Sequence, residues 1–368
     1  MLNQKKKIFF SAYSLEVGGI ETALVNLLNY LSETNKYEIT LILEKRTGIL
    51  LDELKKDIKV LEYAPSYNKV YGKFINAIKR FKFSLKYKNK CDASFAYATY
   101  CKMASATAQI ASKNCNLWVH SSYLDIFSND KNEYEKFFSE LNVNRFKNIL
   151  FVSNKSKTEF EEIMNKHNTI LWNNIIDYKK IEELSLEKIS ERKIDKCTFL
   201  YVGRVVEDSK KISRLLEAAN ILEEKNLNYR ILIIGNGKDY EKALKYVQAN
   251  CLEEKVFFLG EKVNPYPYFK IADALILVSE NEGYPVVYNE AKILNLPIIT
   301  TDVSDSKLDI DKRFGIVCKQ DVESIVDVME RLIKNGKLET FGSLENFDAE
   351  KYNNEIKNKL EKIIEERT

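Results

Sequence analysis

The sequence predicts an α/β protein built from two doubly wound parallel sheets, one after the other. Short apolar runs alternate with amphipathic helical stretches along the whole chain, which is typical of strands that pair in parallel across helical connections. The alternation restarts after the polar segment 173–177. The 368 residues are also enough to form two separate hydrophobic cores.

The first half begins with a predicted strand over residues 7–14, followed by a helix over 21–31. That helix places five small or apolar side chains on one face, which are Ala23, Leu24, Leu27, Leu28 and Leu31. Further strands are predicted over 37–43, 59–63, 93–98, 117–120, 148–153 and 169–172. Helices are predicted over 104–111 and from Lys155 onward.

The second half repeats this pattern after a polar helix. Strands are predicted over 197–202, 229–234, 256–259, 274–278 and 297–301, and helices over 211–225, 240–249 and 321–334. We therefore expect an N-terminal domain over 1–173, a C-terminal domain over 174–347, and a charged helix over 348–368 that packs back toward the N-terminal domain. Because ligands of open α/β sheets bind at the carboxyl ends of strands, we expect substrates in a cleft between the two halves.

The composition excludes several classes of protein. A net charge of +3 argues against a dedicated nucleic-acid binder, so we expect no nucleic-acid partner. The six cysteines form no C-x-x-C pair, which indicates reduced thiols in a cytoplasmic protein. No apolar run approaches the length of a membrane-spanning helix, and the run after the N-terminal lysines is too short for a signal peptide.

The segment 279–291 is the most informative part of the sequence. It follows an apolar run, turns at Gly283 and Pro285, and enters a helical pattern in which Pro285 suits the first position. The free N–H groups and the dipole of such a helix start favour a phosphate or a sugar oxygen. Glu282 and Glu290 flank the turn, with seven residues between them. The two acids suggest a site for a sugar nucleotide, although a solvated loop acid and a surface helical acid would give the same pattern.

Two cations follow the strand 197–202. Gly203 and Arg204 come directly after it, and Lys210 stands at the start of the next helical stretch. Fixed cations beside a helix N-terminus can hold a diphosphate. Surface basic residues are common in such a lysine-rich chain, so their position after a strand is the informative observation.

Three weaker patterns remain. Gly18-Gly19 closes the first strand-to-helix turn but is not a G-x-G-x-x-G fingerprint, which disfavours a dinucleotide cofactor. His120 ends a strand and can contact a sugar hydroxyl or assist a proton transfer, although a structural histidine is the alternative. Asp309 and Asp311 form a D-x-D pattern, which we interpret as a solvent loop, and we predict no metal site.

Residues 69–90 contain eight Lys or Arg residues and no acid. Phe74, Ile78, Phe81 and Leu85 recur among them at helical spacing. This pattern is typical of a basic amphipathic helix that contacts an anionic membrane surface or an anionic acceptor. An ordinary helix with its apolar face in the core fits the pattern equally well.

Together these residues resemble a family 4 glycosyltransferase of the two-domain GT-B type. The motifs stand in the family's order as Phe258-Leu259-Gly260, Asn264-Pro265-Tyr266-Pro267-Tyr268, Ala272-Asp273, Glu282-Gly283-Tyr284-Pro285, Glu290-Ala291, Pro297-Ile298 and Thr301-Asp302. Gly203-Arg204 with Lys210 resembles the family's phosphate-binding stretch, although Lys211 replaces the usual glycine. In the N-terminal half only Gly18 to Glu21, His120 and Val152-Ser153 match. The segment 264–268 resembles bacterial enzymes that build capsule, exopolysaccharide or other lipid-linked glycans.

The resemblance implies two Rossmann-like domains facing a central cleft. It also implies a nucleoside-diphosphate sugar as donor, with a UDP-sugar expected. Glu290 would hold the ribose, Glu282 the sugar hydroxyls, and Arg204 and Lys210 the departing diphosphate, while His120 would contact the sugar or the reacting centre. The expected donor-binding residues are Gly18, Gly19, Gly203, Gly235, Leu259, Gly283, Tyr284, Pro285, Val286, Val287 and Glu290.

The family retains anomeric configuration. No carboxylate in this chain is an obvious covalent nucleophile, so we expect front-face transfer of a hexosyl or N-acetylhexosaminyl group without a metal or another cofactor. The acceptor would be a lipid-linked glycan or a polysaccharide bound by the N-terminal half, in a cytoplasmic protein that is peripheral on the inner face of the cell membrane. The alternatives are a soluble sugar or sugar-phosphate acceptor, or a non-catalytic glycan-binding subunit of a glycosylation complex.

Overall fold

The computed structural model describes residues 4–16, 18–336 and 346–365. The chain forms two compact units. An N-terminal unit runs to Ile176 and is joined again by the chain from Lys351 onward, and Asp177–Glu350 form a C-terminal unit. The division falls three residues after the boundary expected at residue 173.

The sheet of the N-terminal unit is entirely parallel. Its strands are β1 (Lys6–Ala12), β2 (Tyr37–Leu43), β3 (Lys59–Glu62), β4 (Ala93–Ala96), β5 (Cys115–Val119), β6 (Asn148–Phe151) and β7 (Thr169–Leu171), in the order β3-β2-β1-β4-β5-β6-β7. Successive residues such as Ile8, Phe9 and Phe10 are all buried. Strands covered on both faces need this continuous apolar character, because both of their faces pack against helices.

The helices of this unit are α1 (Gly19–Glu33), α2 (Gly72–Tyr87), α3 (Lys102–Ala111), α4 (Tyr123–Ile126), α5 (Lys131–Glu140) and α6 (Asn154–Met164). Short 3-10 helices cover Ile49–Glu53 and Val143–Arg145. The small-residue helix α3 packs on both β1 and β4. Its alanines permit this close approach, and Ala104 and Ala108 are fully buried.

The sheet of the C-terminal unit is also parallel. Its strands are β8 (Cys197–Val202), β9 (Tyr229–Ile234), β10 (Val256–Gly260), β11 (Ala274–Leu277), β12 (Ile298–Thr301) and β13 (Gly315–Cys318), in the order β10-β9-β8-β11-β12-β13. Its helices are α7 (Tyr178–Leu184), α8 (Glu207–Lys210), α9 (Ile212–Glu224), α10 (Tyr240–Ala249), α11 (Tyr266–Ile271), α12 (Val286–Ile293), α13 (Ser306–Asp309) and α14 (Val322–Asn335).

The strand order reverses once in each sheet, between β1 and β4 and between β8 and β11. The connections on the two sides of such a switch point leave in opposite directions, so a crevice forms at the carboxyl ends of the two strands. Two doubly wound parallel sheets were predicted, and this fold class is confirmed.

Among the elements that were not predicted are one strand and two helices, β13, α5 and α11. Strand β13 has only four residues and lies at the edge of its sheet. Helix α5 buries only Tyr134 and Phe138 within a charged segment, so its apolar periodicity is weak. Helix α11 has two prolines at its start, and these masked its helical pattern.

The last helix, α15 (Ala349–Glu365), packs in the N-terminal unit. The side chain of Asn353 pairs with the backbone of Ile176, accepting from its N–H at 3.0 Å and donating to its carbonyl at 2.6 Å. Asn114 donates to the carbonyl of Ile363 at 2.8 Å. A side-chain amide carries both a donor and an acceptor, so Asn353 satisfies both backbone groups of a buried residue.

Candidate functional site

The candidate site of the C-terminal unit lies at its switch point. Strands β8 and β11 are neighbours there, and the chain leaves β8 through Gly203 and Arg204 and leaves β11 through the loop 278–285. The N–H of Glu280 donates to the carbonyl of Ser209 at 2.8 Å. This bond ties the loop after β11 to helix α8, so the predicted residues of both segments come together.

Lys210 and Glu282 form an ion pair across these two segments. Their side chains are only 17% and 11% exposed. Ser279 donates to the same carboxylate oxygen, Oε1 of Glu282, at 2.6 Å. A carboxylate held by two donors has a fixed orientation, and its other oxygen remains able to accept further hydrogen bonds.

Arg204 lies two residues after the end of β8 and has an exposed side chain. The ion pairs of the described part of the chain do not include it. Its backbone is nevertheless fixed, because the hydroxyl of Tyr201 donates to the Arg204 carbonyl at 2.9 Å. The structure thus presents a guanidinium group on a rigid support, free to bind an anion.

Lys211 adopts the left-handed conformation between α8 and α9, with a φ of 47°. This conformation favours glycine, because a Cβ crowds the backbone there. This left-handed turn explains why glycine is usual at this position in the family that the sequence resembles. Lys211 adopts the same turn, and its Cβ makes the turn strained.

The two glycines predicted to bind the donor at the ends of β8 and β9 contact each other. Gly235 has a φ of 137°, and a Cβ on it would lie 1.9 Å from the carbonyl oxygen of Gly203. Close packing of the two strand ends thus already requires glycine at 235. Leu259 lies near the end of the edge strand β10 and is partly exposed.

The loop from Gly283 to Pro285 is held by side chains that the sequence did not reveal. Ser304 donates to the carbonyl of Gly283. The hydroxyl of Tyr284 donates its one proton to the carboxylate of Asp309 at 2.6 Å, and the side-chain oxygen of Asn289 lies within hydrogen-bond distance of the same hydroxyl at 3.0 Å. The Tyr284 hydroxyl is therefore already hydrogen-bonded within the protein. The predicted contact of Tyr284 with the donor substrate would have to come from its backbone or its ring.

Helix α12 begins at Val286, so Pro285 precedes the helix rather than occupying its first position as predicted. The extended ψ of Pro285, 118°, is the physical reason. No side chain caps this helix start. The N–H groups of Val286 and Val287 therefore lie at a helix N-terminus, where an anion is favoured.

Glu290 lies on α12, where burial of its carboxyl group raises its pKa to about 7. Tyr266 of α11 donates to Glu290 Oε1 at 3.3 Å and opposes that shift only in part. The residue itself keeps some solvent exposure. A carboxyl group in this state is close to half ionised at neutral pH, so a ligand that donates hydrogen bonds to it would favour the charged form.

The interpretation of the D-x-D pattern as a solvent loop is wrong. Asp309 binds the ammonium of Lys292 at 2.6 Å, and the Lys292 side chain is 2% exposed. Asp311 accepts from the N–H of Val317 at 3.2 Å, and Ile310 between them is fully buried. Both carboxylates thus stabilise the fold beside β12 and β13. Among the described residues, no three His, Cys, Asp or Glu side chains form a group that could hold a metal ion.

In the N-terminal unit, Gly18 and Gly19 stand at the N-terminus of α1. A Cβ on Gly18 would lie 2.3 Å from the carboxylate of Glu21, and no side chain caps the helix start. His120 directly follows β5 at the carboxyl edge of the same sheet. The structure therefore places both features at the edge where ligands of parallel sheets bind.

His120 is 8% exposed, and burial lowers its pKa to about 3. Its ring stacks on Trp118 at 5.8 Å and lies 4.5 Å from the ring of Tyr97. Within the described residues, no group hydrogen-bonds to its Nε2 atom. A neutral imidazole with an unused nitrogen can exchange a hydrogen bond with a ligand but cannot act as a cation.

Helix α2 exposes the apolar face that the sequence identified. Phe74, Ile78, Phe81 and Leu85 are 68%, 41%, 64% and 71% exposed, whereas Phe83 on the opposite side is buried. The alternative in which this face packs in the core is therefore wrong. In the described part of the chain, no helix is both long enough and apolar enough to cross a membrane.

Several residues of the site were missed by sequence reasoning. Ser279, Tyr266, Ser304 and Lys292 hold predicted residues, and Arg214 binds Glu280 and the carbonyls of Val278 and Ser279. Tyr266 stood in a quoted motif, but its partner lies 24 residues away. The other four come from separate elements, and no local pattern marks them.

Comparison with known proteins shows what the chain is similar to. The sequence profile of the family described as "Glycosyl transferases group 1" matches residues 184–348. An uncharacterized glycosyltransferase of Methanocaldococcus jannaschii is 29% identical over 150 residues, which cover 40% of this chain and 36% of that protein. In this alignment the chain thus spans little more than a third of its relative.

A relative from Campylobacter jejuni is matched over nearly its whole length. It is the N-acetylgalactosamine-N,N'-diacetylbacillosaminyl-diphospho-undecaprenol 4-alpha-N-acetylgalactosaminyltransferase, 27% identical over 352 residues, with 91% of this chain and 92% of that protein covered. Among solved structures, Anabaena HepE in complex with UDP and glucose superimposes with a TM-score of 0.74 at 16% identity, covering 97% of this chain and all of that one. The resemblance read from the motifs is confirmed: residues 184–348 match the model of the glycosyl transferases group 1, and the two units have the GT-B fold.

Proposed function

We propose that this protein is a retaining glycosyltransferase that moves a sugar from a UDP-sugar to a lipid-linked or polysaccharide acceptor in bacterial surface glycan synthesis. The observation that carries the proposal is the ion pair of Lys210 with Glu282 at the switch point between β8 and β11. It couples a cation suited to a diphosphate to a carboxylate suited to sugar hydroxyls. A nucleotide sugar carries its diphosphate directly beside its sugar, so its binding site needs the cation and the carboxylate close together.

The leaving diphosphate is the centre of the proposed chemistry. As the bond from the sugar anomeric carbon to the diphosphate oxygen breaks, negative charge grows on that oxygen. Arg204 and the N–H groups of Val286 and Val287 would stabilise this charge, together with Lys210, whose ammonium keeps two donors besides the one bound to Glu282. The acceptor oxygen forms the new bond on the same face of the sugar, and its proton passes to the diphosphate.

We propose the remaining donor contacts as follows. Glu282 would accept from sugar hydroxyls through the oxygen that Ser279 and Lys210 leave free. Glu290 would accept from the ribose hydroxyls, beside Tyr266. We assign the acceptor to the N-terminal unit, propose His120 as a contact to the sugar, and propose no metal or other cofactor.

Two observations support a lipid-linked acceptor. The relative from Campylobacter jejuni is named for a diphospho-undecaprenol substrate. In this chain, α2 presents Phe74, Phe81 and Leu85 to solvent among Lys and Arg residues and no acids, as a helix at an anionic membrane surface would. We therefore propose a peripheral protein of the cytoplasmic membrane face.

A binding screen followed by a turnover assay tests the proposal. UDP-, GDP- and ADP-sugars are added at increasing concentration while thermal unfolding is followed, and the cognate donor raises the melting temperature because it binds only the folded state. Nucleotide release is then measured with and without EDTA, and the anomeric configuration of the product is read by NMR. No stabilisation and no turnover with any of these donors would contradict the proposal.

Arg204→Met is the most informative variant, because the Arg204 side chain is exposed and has no ion-pair partner among the described residues. Its replacement should leave the melting temperature unchanged, since surface substitutions typically change the free energy of unfolding by less than ~0.5 kcal/mol. The value of kcat should nevertheless fall by roughly 100-fold or more if Arg204 stabilises the leaving group. A variant with full activity would show that Arg204 is only a surface residue.

A further inference from the structure

A groove of about 750 Å³ lies on the N-terminal unit. Its walls come from α2, the end of α3, the start of β5 and the 3-10 helix that precedes β6. We name it the basic groove after its four charged side chains, Arg80, Lys88, Lys113 and Arg145.

The charge of the basic groove is uncompensated. The twelve residues that line it include these four cations and no Asp or Glu. None of the four takes part in an ion pair within the described part of the chain. Four like charges from three separate chain segments repel one another, so an anion bound among them would be favoured.

The basic groove is continuous with the exposed apolar face of α2. Arg80 and Ser84 lie one turn apart on α2, and Lys88 directly follows the end of that helix. Phe81 belongs both to the groove and to the apolar stripe with Phe74, Ile78 and Leu85. A ligand in the groove would therefore contact Phe81, which continues into the exposed apolar stripe, and a free phosphate would make no use of this surface.

The basic groove also lies at the opposite edge of the sheet from His120. Cys115 lines the groove and begins β5, while His120 follows the end of that strand. Five residues of extended chain separate the two positions by about 15 Å. The groove is thus distinct from the carboxyl edge at which substrates of a parallel sheet bind.

We propose that the basic groove binds the phosphate-bearing headgroup of an anionic phospholipid, while the apolar stripe of α2 enters the adjoining acyl region. This inference deepens the peripheral membrane contact given above and rests on it. The lipid satisfies both features at once, because its phosphate meets the four cations and its chains meet the stripe. Gln109 and the groove floor are buried, so the headgroup would be held at the surface of the unit.

Vesicle binding tests the proposal with a matched control. The probes are vesicles of phosphatidylcholine alone and vesicles in which about 30% of the lipid is phosphatidylglycerol. Co-sedimentation measures how much protein binds to each kind of vesicle. Lys113→Gln with Arg145→Gln removes two groove cations that do not belong to α2. We expect roughly 30-fold weaker binding to the anionic vesicles, since each basic residue at such a surface contributes about fivefold. The control, Lys242→Gln with Lys245→Gln on exposed α10, changes the charge equally and should leave binding unchanged.

A second double variant and a fluorescence measurement test the proposal even if the first variant folds poorly. Arg80→Gln with Lys88→Gln should give a loss of the same size if the first variant folds poorly. Brominated lipid should quench the fluorescence that the Phe81→Trp substitution adds. It should not quench the fluorescence of the native Trp118 and Trp172, because both are buried. The proposal would be overturned if the protein bound neutral vesicles as tightly as anionic ones, or if the groove and control variants lost the same amount of vesicle affinity. It would also be overturned if brominated lipid did not quench the fluorescence of the Phe81→Trp variant, or if α2 mediated self-association instead.

Wild-type measurements separate this inference from the proposed function. Nucleotide release from a donor in vesicle-free solution depends on the C-terminal site and not on the groove. Turnover without vesicle binding would therefore overturn the lipid site alone. Vesicle binding without turnover on any donor would overturn the transferase proposal alone.

Discussion

Lys210 and Glu282 are ion-paired although 71 residues separate them in the chain. One ends a short helix after β8, and the other lies in the loop after β11. The parallel pairing of β8 and β11 brings the two segments together. This pair joins the two halves of the proposed donor site, and the first prediction concerns it.

Glu282→Gln should lower kcat by roughly 100-fold, because the variant loses both the carboxylate for the sugar and the partner that orients Lys210. It should also lower the free energy of unfolding by about 1–3 kcal/mol, since Lys210 would remain partly buried without its counter-charge. Initial rates of nucleotide release and urea unfolding measure the two effects. Glu280→Gln is the matched control, because Glu280 lies two residues earlier and pairs with Arg214 instead. Equal rate losses in both variants would show that general loop charge, and not Glu282, is important.

Glu290 should make stability depend on pH. Burial raises its pKa to about 7 in the folded state, above its ordinary value of 4.5. Between these values the folded state holds a proton that the unfolded state has lost, so this group lowers stability as pH rises from about 4.5 to 7. Glu290→Gln should therefore be more stable than the wild type at pH 8, by about 1–3 kcal/mol, and should lose that advantage by pH 4.5. Urea unfolding at several pH values tests this.

The same group should couple pH to donor binding. Ribose hydroxyls donate to an ionised carboxylate, so the affinity for UDP should increase as pH rises through about 7 and then level off. Titration calorimetry measures this, with Glu241→Gln on the exposed side of α10 as the control variant. A rising affinity that persists in Glu290→Gln would assign the titration to another group.

His120 should act as a neutral side chain at all pH values near neutrality. Its folded-state pKa of about 3 lies below the ordinary 6.5, because burial disfavours the cation. As pH falls below 6.5 the unfolded state gains a proton that the folded state does not, so stability is lost. His120→Gln should reduce this loss by about 1–2 kcal/mol between pH 6.5 and 5.

The other histidine provides the control for that experiment. His167 is exposed, and His167→Gln is the matched substitution against which the effect of His120→Gln is compared. If His120 contacts the sugar, His120→Gln should also reduce kcat while the pH profile of the rate keeps its shape. A wild-type profile with an inflection that His120→Gln abolishes would contradict a permanently neutral imidazole.

Lys211→Gly should stabilise the protein by about 1 kcal/mol, because Lys211 has a φ of 47° and glycine adopts this conformation without a clashing Cβ. Lys211→Ala is the control, since it removes the charged chain and keeps the Cβ. The difference between the two free energies of unfolding isolates the backbone effect. Equal stabilities would mean that the turn between α8 and α9 carries no strain at this position.

The sequence determined the fold class because each half alternates apolar runs with helical patterns, and this periodicity is local. Strands such as Cys197–Val202 and Tyr229–Ile234 were predicted to the residue, because a strand covered on both faces is a continuous apolar run. The short edge strand β13 and the charged helix α5 gave too weak a pattern. The resemblance to a glycosyltransferase family also came from the sequence, since the motifs follow one another along the chain in a fixed order.

Only the tertiary structure decided how the side chains of the site interact. The hydrogen bond from Tyr266 to Glu290 and the pairing of Lys292 with Asp309 connect different elements, so no local pattern encodes them. The contact of Ser279 with Glu282 lies within one loop and depends on how that loop folds. The burial of each side chain was likewise decided only by the tertiary structure. The pattern of α2 fitted a core face and an exposed face equally, and that of Asp309 fitted a solvent loop. Which side of an amphipathic segment meets solvent depends on what packs against it, and that is fixed when the chain folds.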